Sequence, residues 1–583
     1  MTYGTANASM VAPSDAHVAD DLEAGRLAFE SGDLDAAEER FRRALGVPER
    51  SARAMLWLGR VASQRRGAEQ AVDWLEQALD RDPALAEASV ALALIQARCG
   101  RSEDARDTLW TAVHHSPDSA DAWFQLGRLL ARGGQLTDAV ECLERSVAVD
   151  PGRADASIEL ARAFYRLRRY EDAVAWFRLG LERAPGDPEA HNDLANALVY
   201  LHRNDEALAL YEGLVRRYPA SSVPRLGYGN ALQQLGRFDD AVGQYDSVLA
   251  REPMNFFARW NRALVLLLRQ QFAEGWDDYE HRLLADSGAY LRLFPFPRWR
   301  GEPLAGKALL IHAEQGVGDE IMFASCFHEV LSQARRCVIE CRPKLQRLFA
   351  RSFPDATVVA AEDATVPGWL AQVGDIDFQV AAGGLPRLFR RSGDQFPARP
   401  FLRADPQKVE RWRAELDRLG PGLRVGVSWR GGSVRTRTVA RTIPLRDWSP
   451  ILGVPGCRFV SLQYGEVTED LREAKDLCGV PVAHWPEAID DYDETAALVC
   501  AVDVVITVCT ALVHLSGALG QRAWVLVPSV PEWRYGREGT RMPWYGSVEL
   551  VRQREEEGWP PVLAGLRSRL EALVSTERGR ALR

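Results

Sequence analysis

Seven times in the first half of this 583-residue chain, one small pattern returns every 34 residues without a slip in register. Ala37, Ala71, Ala105, Ala139, Ala173, Ala207 and Ala241 form one column, and Pro83, Pro117, Pro151, Pro185, Pro219 and Pro253 another. A column of small residues runs through Gly25, Gly59, Ala93, Gly127, Ala161, Ala195 and Gly229. A fixed period of this length belongs to stacked helical hairpins, in which no single repeat can bury its own apolar face. Such an array offers a long concave surface, so half of the chain is built to hold something.

The remaining length requires further domains, because one core does not grow to this size. A net charge of −9 argues against general nucleic-acid binding. The first twenty residues have neither a basic nor an apolar segment of the kind a signal peptide needs, and residues 1–15 read as a disordered N-terminus. No apolar run approaches the roughly 18 residues of a membrane span; ALVLLL at 263–268 reads as one face of a core helix. Nine cysteines, an odd number without metal-type spacing, fit buried thiols in a reducing compartment. Cytoplasmic location and no membrane insertion are the expectations.

The repeats, residues 16–284, resemble tetratricopeptide repeats: seven copies and a degenerate eighth carrying Ala263, Gly275 and Tyr279. Small residues bring the helices of a hairpin together, a larger residue (Phe41, Leu75, Leu109, Leu143, Phe177, Tyr211, Tyr245) fills the gap between hairpins, and proline ends the second helix. The resemblance implies that the position after each small residue faces the concave groove. It reads Arg26, Arg60, Leu94, Arg128, Arg162, Asn196, Asn230, with Glu87, Asp121, Asp155 and Glu189 two turns earlier. An amide offers donor and acceptor to an extended backbone, so Arg128, Arg162, Asn196 and Asn230 are candidates for gripping a protein. The alternative is that these arginines and carboxylates pair with one another on a solvated face.

After residue 284 the character changes. A Pro-, Arg- and aromatic-rich linker, 285–307, leads to short apolar runs separated by helical stretches: ALLIHA, CVIEC, ATVVAA, RVGVSW, CRFVSLQ, VDVVITV, AWVLVP. That alternation predicts parallel α/β structure. We read two Rossmann-like domains, 308–420 and 421–583, with a helix near 407–420 between the strand groups and a terminal helix over 560–580.

Three motifs fall just past strand ends, where open parallel sheets bind ligands. In HAEQGVGDEIMF, Glu314 and Gln315 precede Gly316 and Gly318, which allow a tight turn, and Asp319 opens a helix. That carboxylate either caps its helix or serves as a general base. In SWRGGSVRTRTVARTIPL, Arg430, Arg435, Arg437 and Arg441 surround the Gly431-Gly432 turn with no acid before Asp447, a set of unpaired cations suited to phosphate. In TVCTALVHLSGALG, the Thr510 hydroxyl and a helix N-terminus form an anion seat, with His514 on the first turn. Cys509 has no legible relay partner and is not proposed as a nucleophile. Gln463 and Glu532 sit at strand ends and are assigned by position to base or ribose contact.

Together HAEQGVGD, SWRGG with RTIPL and FVSLQYG, and CTALVHLSGALG with PEWRYG and PWYGS resemble the repeat-linked bacterial glycosyltransferases of GT-B architecture, distant relatives of the ADP-heptose heptosyltransferases. The resemblance implies that Asp319 is the catalytic base and that Thr510 and His514 are on the donor side. The chain departs from the heptosyltransferases at Cys509-Thr510-Ala511, where Asp-Thr-Gly is usual, and in having an Arg-rich loop where a lysine is expected. The whole layout also resembles the soluble flagellin-modifying transferases, which move a nonulosonic acid such as pseudaminic acid from a CMP donor to Ser or Thr before export.

The expectation is a multidomain protein: an all-α repeat superhelix followed by a GT-B module acting as a metal-independent protein O-glycosyltransferase. It would need no cofactor beyond the nucleotide-sugar donor, with a flagellin-like acceptor in the repeat groove. The alternatives are a heptosyltransferase-like enzyme using an ADP- or UDP-sugar on a polysaccharide or lipid acceptor, and a repeat adaptor with an inactive transferase module. A homo-oligomer is left open.

Overall fold

A computed structural model describes residues 15–285, 294–362, 367–431, 438–554 and 557–581. The stretch expected to be a disordered N-terminus lies outside them except for residue 15, as do residues 286–293 of the linker and Gly432, Arg435 and Arg437 of the arginine loop. The described chain divides into two compact units between Tyr228 and Gly229.

The first unit is a run of antiparallel helical hairpins, beginning Asp15–Glu30 with Leu34–Ala44 and Pro48–Gln64 with Ala68–Arg81. The alanine column is fully buried, from Ala37 to Ala207. The larger residue works differently from the expectation. A Cβ on Gly59 would lie 2.7 Å from Leu75 Cγ, a side chain on the second helix of the same hairpin. The large residue therefore fills the space a small one leaves inside each hairpin, not the gap between hairpins.

The second unit opens within the helix Ser222–Gln234, which is followed by Phe238–Leu249 and then one more hairpin. That hairpin, Phe256–Leu268 with Phe272–Tyr279, contains the ALVLLL stretch, whose Val265 and Leu267 are buried as a core face requires. Two parallel sheets follow. The first contains β1 (Ala308–His312), β2 (Arg336–Cys341), β3 (Ala356–Ala360) and β4 (Phe378–Ala381) in the order β3-β2-β1-β4. The second contains β5 (Leu423–Ser428), β6 (Cys457–Ser461), β7 (Val482–Ala483), β8 (Val504–Val508), β9 (Ala523–Val527), β10 (Arg541–Met542) and β11 (Tyr545–Arg552) in the order β10-β11-β9-β8-β5-β6-β7. Every described pairing is parallel except β10 with β11. Strands such as VVITV and AWVLV are buried along their whole length, because helices cover both faces.

Seven strands follow the apolar runs of the sequence. The short β4, β7 and β10 have no such signal, and β11 is an edge-region strand of alternating burial. The helix Pro406–Asp417 is tied to the second sheet's helix Tyr492–Ala501, through Lys408 to Asp493 at 2.8 Å and Trp412 Nε1 to Glu494 at 2.8 Å. The terminal helix Pro560–Ala581 puts Leu563, Leu566 and Leu570 into the second sheet's core.

In each sheet the strand order reverses beside the first strand. β1 lies between β2 and β4, and β5 lies between β6 and β8. These switch points leave crevices at the carboxyl ends of β1 and β5.

Candidate active site

The chain leaves β1 through Glu314, Gln315 and Gly316 into the helix Val317–Phe323. The left-handed residue of this turn is Gln315, at φ 61°, and not either glycine. Gln315 is held there by the last repeat hairpin, its Nε2 donating to Tyr279 Oη at 2.9 Å. Gly318 serves close approach instead: a Cβ would lie 3.0 Å from His514 Cδ2 and 3.2 Å from Ala511 Cα. The helices that begin after β1 and after β8 thereby meet at their N-terminal turns.

Asp319 is in the first turn of its helix. Its Oδ2 lies 3.3 Å from Gly316 N, the capping contact, and its Oδ1 accepts from Arg534 Nε at 2.9 Å. Arg534 follows β9 of the other sheet, stacks over the Trp533 ring at 4.6 Å and lies 3.4 Å from Glu532. Glu532 in turn takes Arg441 at 2.9 Å. Asp319, Arg534, Glu532 and Arg441 thus form one chain of alternating charge across the cleft between the two sheets.

These four residues line a cavity of about 560 Å³, together with Thr510 and His514. Thr510 caps the helix Ala511–Leu519, its Oγ1 accepting from Leu512 N at 3.2 Å. His514 is buried, with Nδ1 3.1 Å from Tyr545 Oη, so one ring nitrogen is committed. Burial first, and the Arg534 charge second, push its pKa down to about 3. The imidazole is therefore neutral at physiological pH and can act on a ligand only as a neutral hydrogen-bonding group, not as a cation. Cys509 is also buried, which raises its thiol to about 12 and makes it inert.

Of the four arginines expected to be unpaired, the two among the described residues, Arg430 and Arg441, are paired with acids far away in sequence. Arg441 takes Glu532, and Arg430 turns to Asp470 at 3.2 Å and to the Glu466 carbonyl, outside the cavity lining. Gln463 does not line the cavity either. Its Oε1 accepts from Ser428 Oγ at 3.0 Å, Trp429 N at 3.0 Å and Arg430 N at 2.9 Å, which fixes the chain leaving β5. Gly431 lets that chain pass close to the turn after β8, where a Cβ would lie 2.8 Å from Cys509 O and 3.0 Å from Arg441 O. Glu314 is fully buried and bound to the equally buried Arg282 at 2.8 and 2.6 Å, a structural ion pair away from the cavity.

Arg534, in the PEWRYG motif at a sheet edge, has no role legible in the sequence, although it is the group that reaches Asp319. Lys344, Tyr464 and Tyr492 also line the cavity. Nothing in their local sequence announces this, since they reach it from three separate segments: a short helical turn, the loop after β6 and the start of the helix Tyr492–Ala501. Among the described residues, no cluster of three His, Cys, Asp or Glu side chains is placed to hold a metal.

The four candidate groove residues differ in environment. Arg162 is saturated by Glu159 at 2.8 Å and Asp193 at 2.8 Å. Asn196 accepts from Tyr211 Oη at 2.8 Å, and Asn230 accepts from Tyr245 Oη and Asn261 Nδ2, each at 2.8 Å. Of these three, Arg162 is bound by carboxylates, whereas the two asparagines are bound by tyrosine hydroxyls and another amide. Arg128 instead lines a groove of about 850 Å³ with Arg60, Arg98 and Arg132, with Glu87 and Asp121 also on its walls, over an apolar floor that includes Leu94 and Val90. Its nearest polar partner is Gln125, at 2.6 Å.

The fold is therefore a tetratricopeptide-type helical array followed by an α/β region of parallel sheets. Two tetratricopeptide repeat family models match the chain, one at residues 22–86, 90–141 and 126–188 and the other at 198–265. Protein FlbA of Caulobacter vibrioides is 33% identical over 333 residues, covering 54% of this chain and 55% of that protein. The chain thus spans about half the length of the curated relative it matches. Among solved structures, Pseudomonas aeruginosa PilF is similar at 21% identity and TM-score 0.33, covering 37% of this chain and 96% of that one. A tetratricopeptide repeat protein from Parabacteroides merdae is similar at 16% identity and TM-score 0.37, covering 42% and 95%. No described helix is long and apolar enough to cross a membrane.

Proposed function

We propose that this chain is a metal-independent glycosyltransferase of GT-B architecture. It would move a sugar from a nucleotide donor, a nonulosonic acid from CMP, to a Ser or Thr hydroxyl of a protein such as flagellin. The observation that carries the reading is the meeting of Asp319, Arg441, Arg534 and the Thr510 helix N-terminus in one cavity at the carboxyl ends of two parallel sheets. Its volume of about 560 Å³ lies within the range of roughly 300–1,000 Å³ usual for small-ligand sites.

The chemistry follows from the positions. Asp319 takes the proton of the acceptor hydroxyl, and the oxygen attacks the anomeric carbon. The bond from that carbon to the phosphate oxygen breaks, and CMP leaves with the electron pair. The growing charge on phosphate is met by Arg441 and by the positive N-terminal end of the helix Ala511–Leu519. The arginine groove at residues 60–132 supports protein docking, because its cations are not spent on carboxylates as Arg162 is.

The test is incubation of the purified chain with CMP-, UDP- and ADP-linked sugars and flagellin, followed by intact mass of the acceptor. A mass increase with one donor class is expected. Absence of transfer, together with no thermal stabilisation by CMP, UDP or ADP, would leave a repeat adaptor as the better description.

A further inference from the structure

In the arrangement described, Oδ1 of Asp319 is not open to an acceptor hydroxyl. Both Nε and Nη2 of Arg534 are directed at its Oδ1, and Oδ2 is occupied by Gly316 N. The pair is also shielded, with side-chain exposure of 15% for Asp319 and 17% for Arg534, so it is not a solvent-screened surface contact. Yet Arg534 is not locked to one partner. It also faces Glu532, and all three line the same cavity. The four linked groups contribute two positive and two negative charges. A nucleotide phosphate entering beside them adds negative charge to the linked set, and besides Lys344, which also lines the cavity, the cations placed to answer it are the guanidinium groups of Arg441 and Arg534.

We propose that Arg534 is exchanged between Asp319 and the anionic group of the donor, so that donor binding draws it off the carboxylate and frees the base. This rests on the transferase reading above. Arg534 is then a donor-binding residue, a role beyond the arginine loop after β5. Donor binds before the acceptor hydroxyl can give up its proton, because only then is Asp319 Oδ1 open. Trp533 provides the flat surface along which the guanidinium slides, and Glu532 keeps a second contact on it during the exchange. The same pair, while donor is absent, ties the loop after β9 to the helix after β1 and holds the cleft together.

The experiment is calorimetric titration of the full chain with CMP, UDP and ADP, using wild type, Asp319→Asn, Arg534→Gln, Arg534→Lys and the Asp319→Asn/Arg534→Gln double variant. Asp319→Asn is expected to tighten the best nucleotide about tenfold, since Arg534 no longer has to be pulled from an acid. Arg534→Gln is expected to weaken it about tenfold, and Arg534→Lys to recover part of that loss. In the Arg534→Gln background, Asp319→Asn should change affinity by less than about twofold. Equal tightening in both backgrounds would mean simple repulsion between Asp319 and phosphate, and would overturn the exchange. So would no tightening at all. Failure of every nucleotide to bind wild type would instead remove the transferase reading, and this inference with it. Thermal melts separate lost binding from lost fold, and the double variant leaves no buried unpaired charge.

Discussion

Arg534 Nε lies 2.9 Å from Asp319 Oδ1, although the two residues are 215 apart in sequence and belong to loops of different sheets. The contact puts the proposed base and a donor-side cation in direct competition for one another, with measurable consequences.

Asp319→Asn should lower sugar transfer by about 10²–10⁴-fold, the usual contribution of a positioned general base. The readout is intact mass of the acceptor against time. Transfer at the wild-type rate would assign the proton to another group.

Gly431→Ala should damage the phosphate seat. A Cβ there meets two backbone carbonyls, at 2.8 and 3.0 Å, and backbone cannot step aside as a flexible side chain can. Strain of about 1–3 kcal/mol is expected, read as a lower denaturation midpoint with nucleotide stabilisation lost.

His514 makes the second unit acid-sensitive. Its folded pKa is depressed to about 3, so between the unfolded value near 6.5 and about 3 the unfolded chain binds a proton that the folded chain does not. Stability contributed by the neutral ring is fully present above pH about 6.5 and is lost as pH falls toward 3. Melting temperature measured from pH 7 to 4 should fall less steeply in His514→Gln than in wild type. Equal slopes would mean the ring is not buried neutral.

Breaking the Arg282–Glu314 pair from one side should cost about 3–5 kcal/mol, because the remaining charge is left buried. Glu314→Gln is the mild version and Glu314→Ala the severe one, compared by chemical denaturation. A change under about 1 kcal/mol for Glu314→Ala would show that water or Glu280, 3.3 Å from Arg282, compensates the charge left behind.

Charge reversal at Arg128 and Arg60 should raise KM for the protein acceptor about tenfold or more, while nucleotide titration is unaffected. Reversal at Arg162 should instead lower repeat stability, since that side chain is held by Glu159 and Asp193. If Arg162 and Arg128 variants lose acceptor binding alike, the grip extends further along the array than the groove at residues 60–132.

Periodicity and apolar runs are local properties, and the sequence alone determined the features that depend on them. The 34-residue columns dictate hairpins, because small residues at fixed helical spacing let those helices approach. Mostly apolar runs such as VDVVITV dictate buried parallel strands, and a glycine-rich turn or a Thr before a helix marks where a strand end can meet a ligand. Which groups then meet was settled by the tertiary structure. Four arginines around one turn look unpaired along the chain, yet Arg441 finds Glu532 and Arg430 finds Asp470 once β9 and the helix Thr468–Cys478 pack alongside. Gln315, not a glycine, takes the left-handed position because Tyr279 from the last hairpin holds its side chain. Asp319 meets Arg534 only when two sheets face each other. Electrostatic partners are chosen by distance in space, and a linear pattern carries no term for distance between segments that the fold brings together.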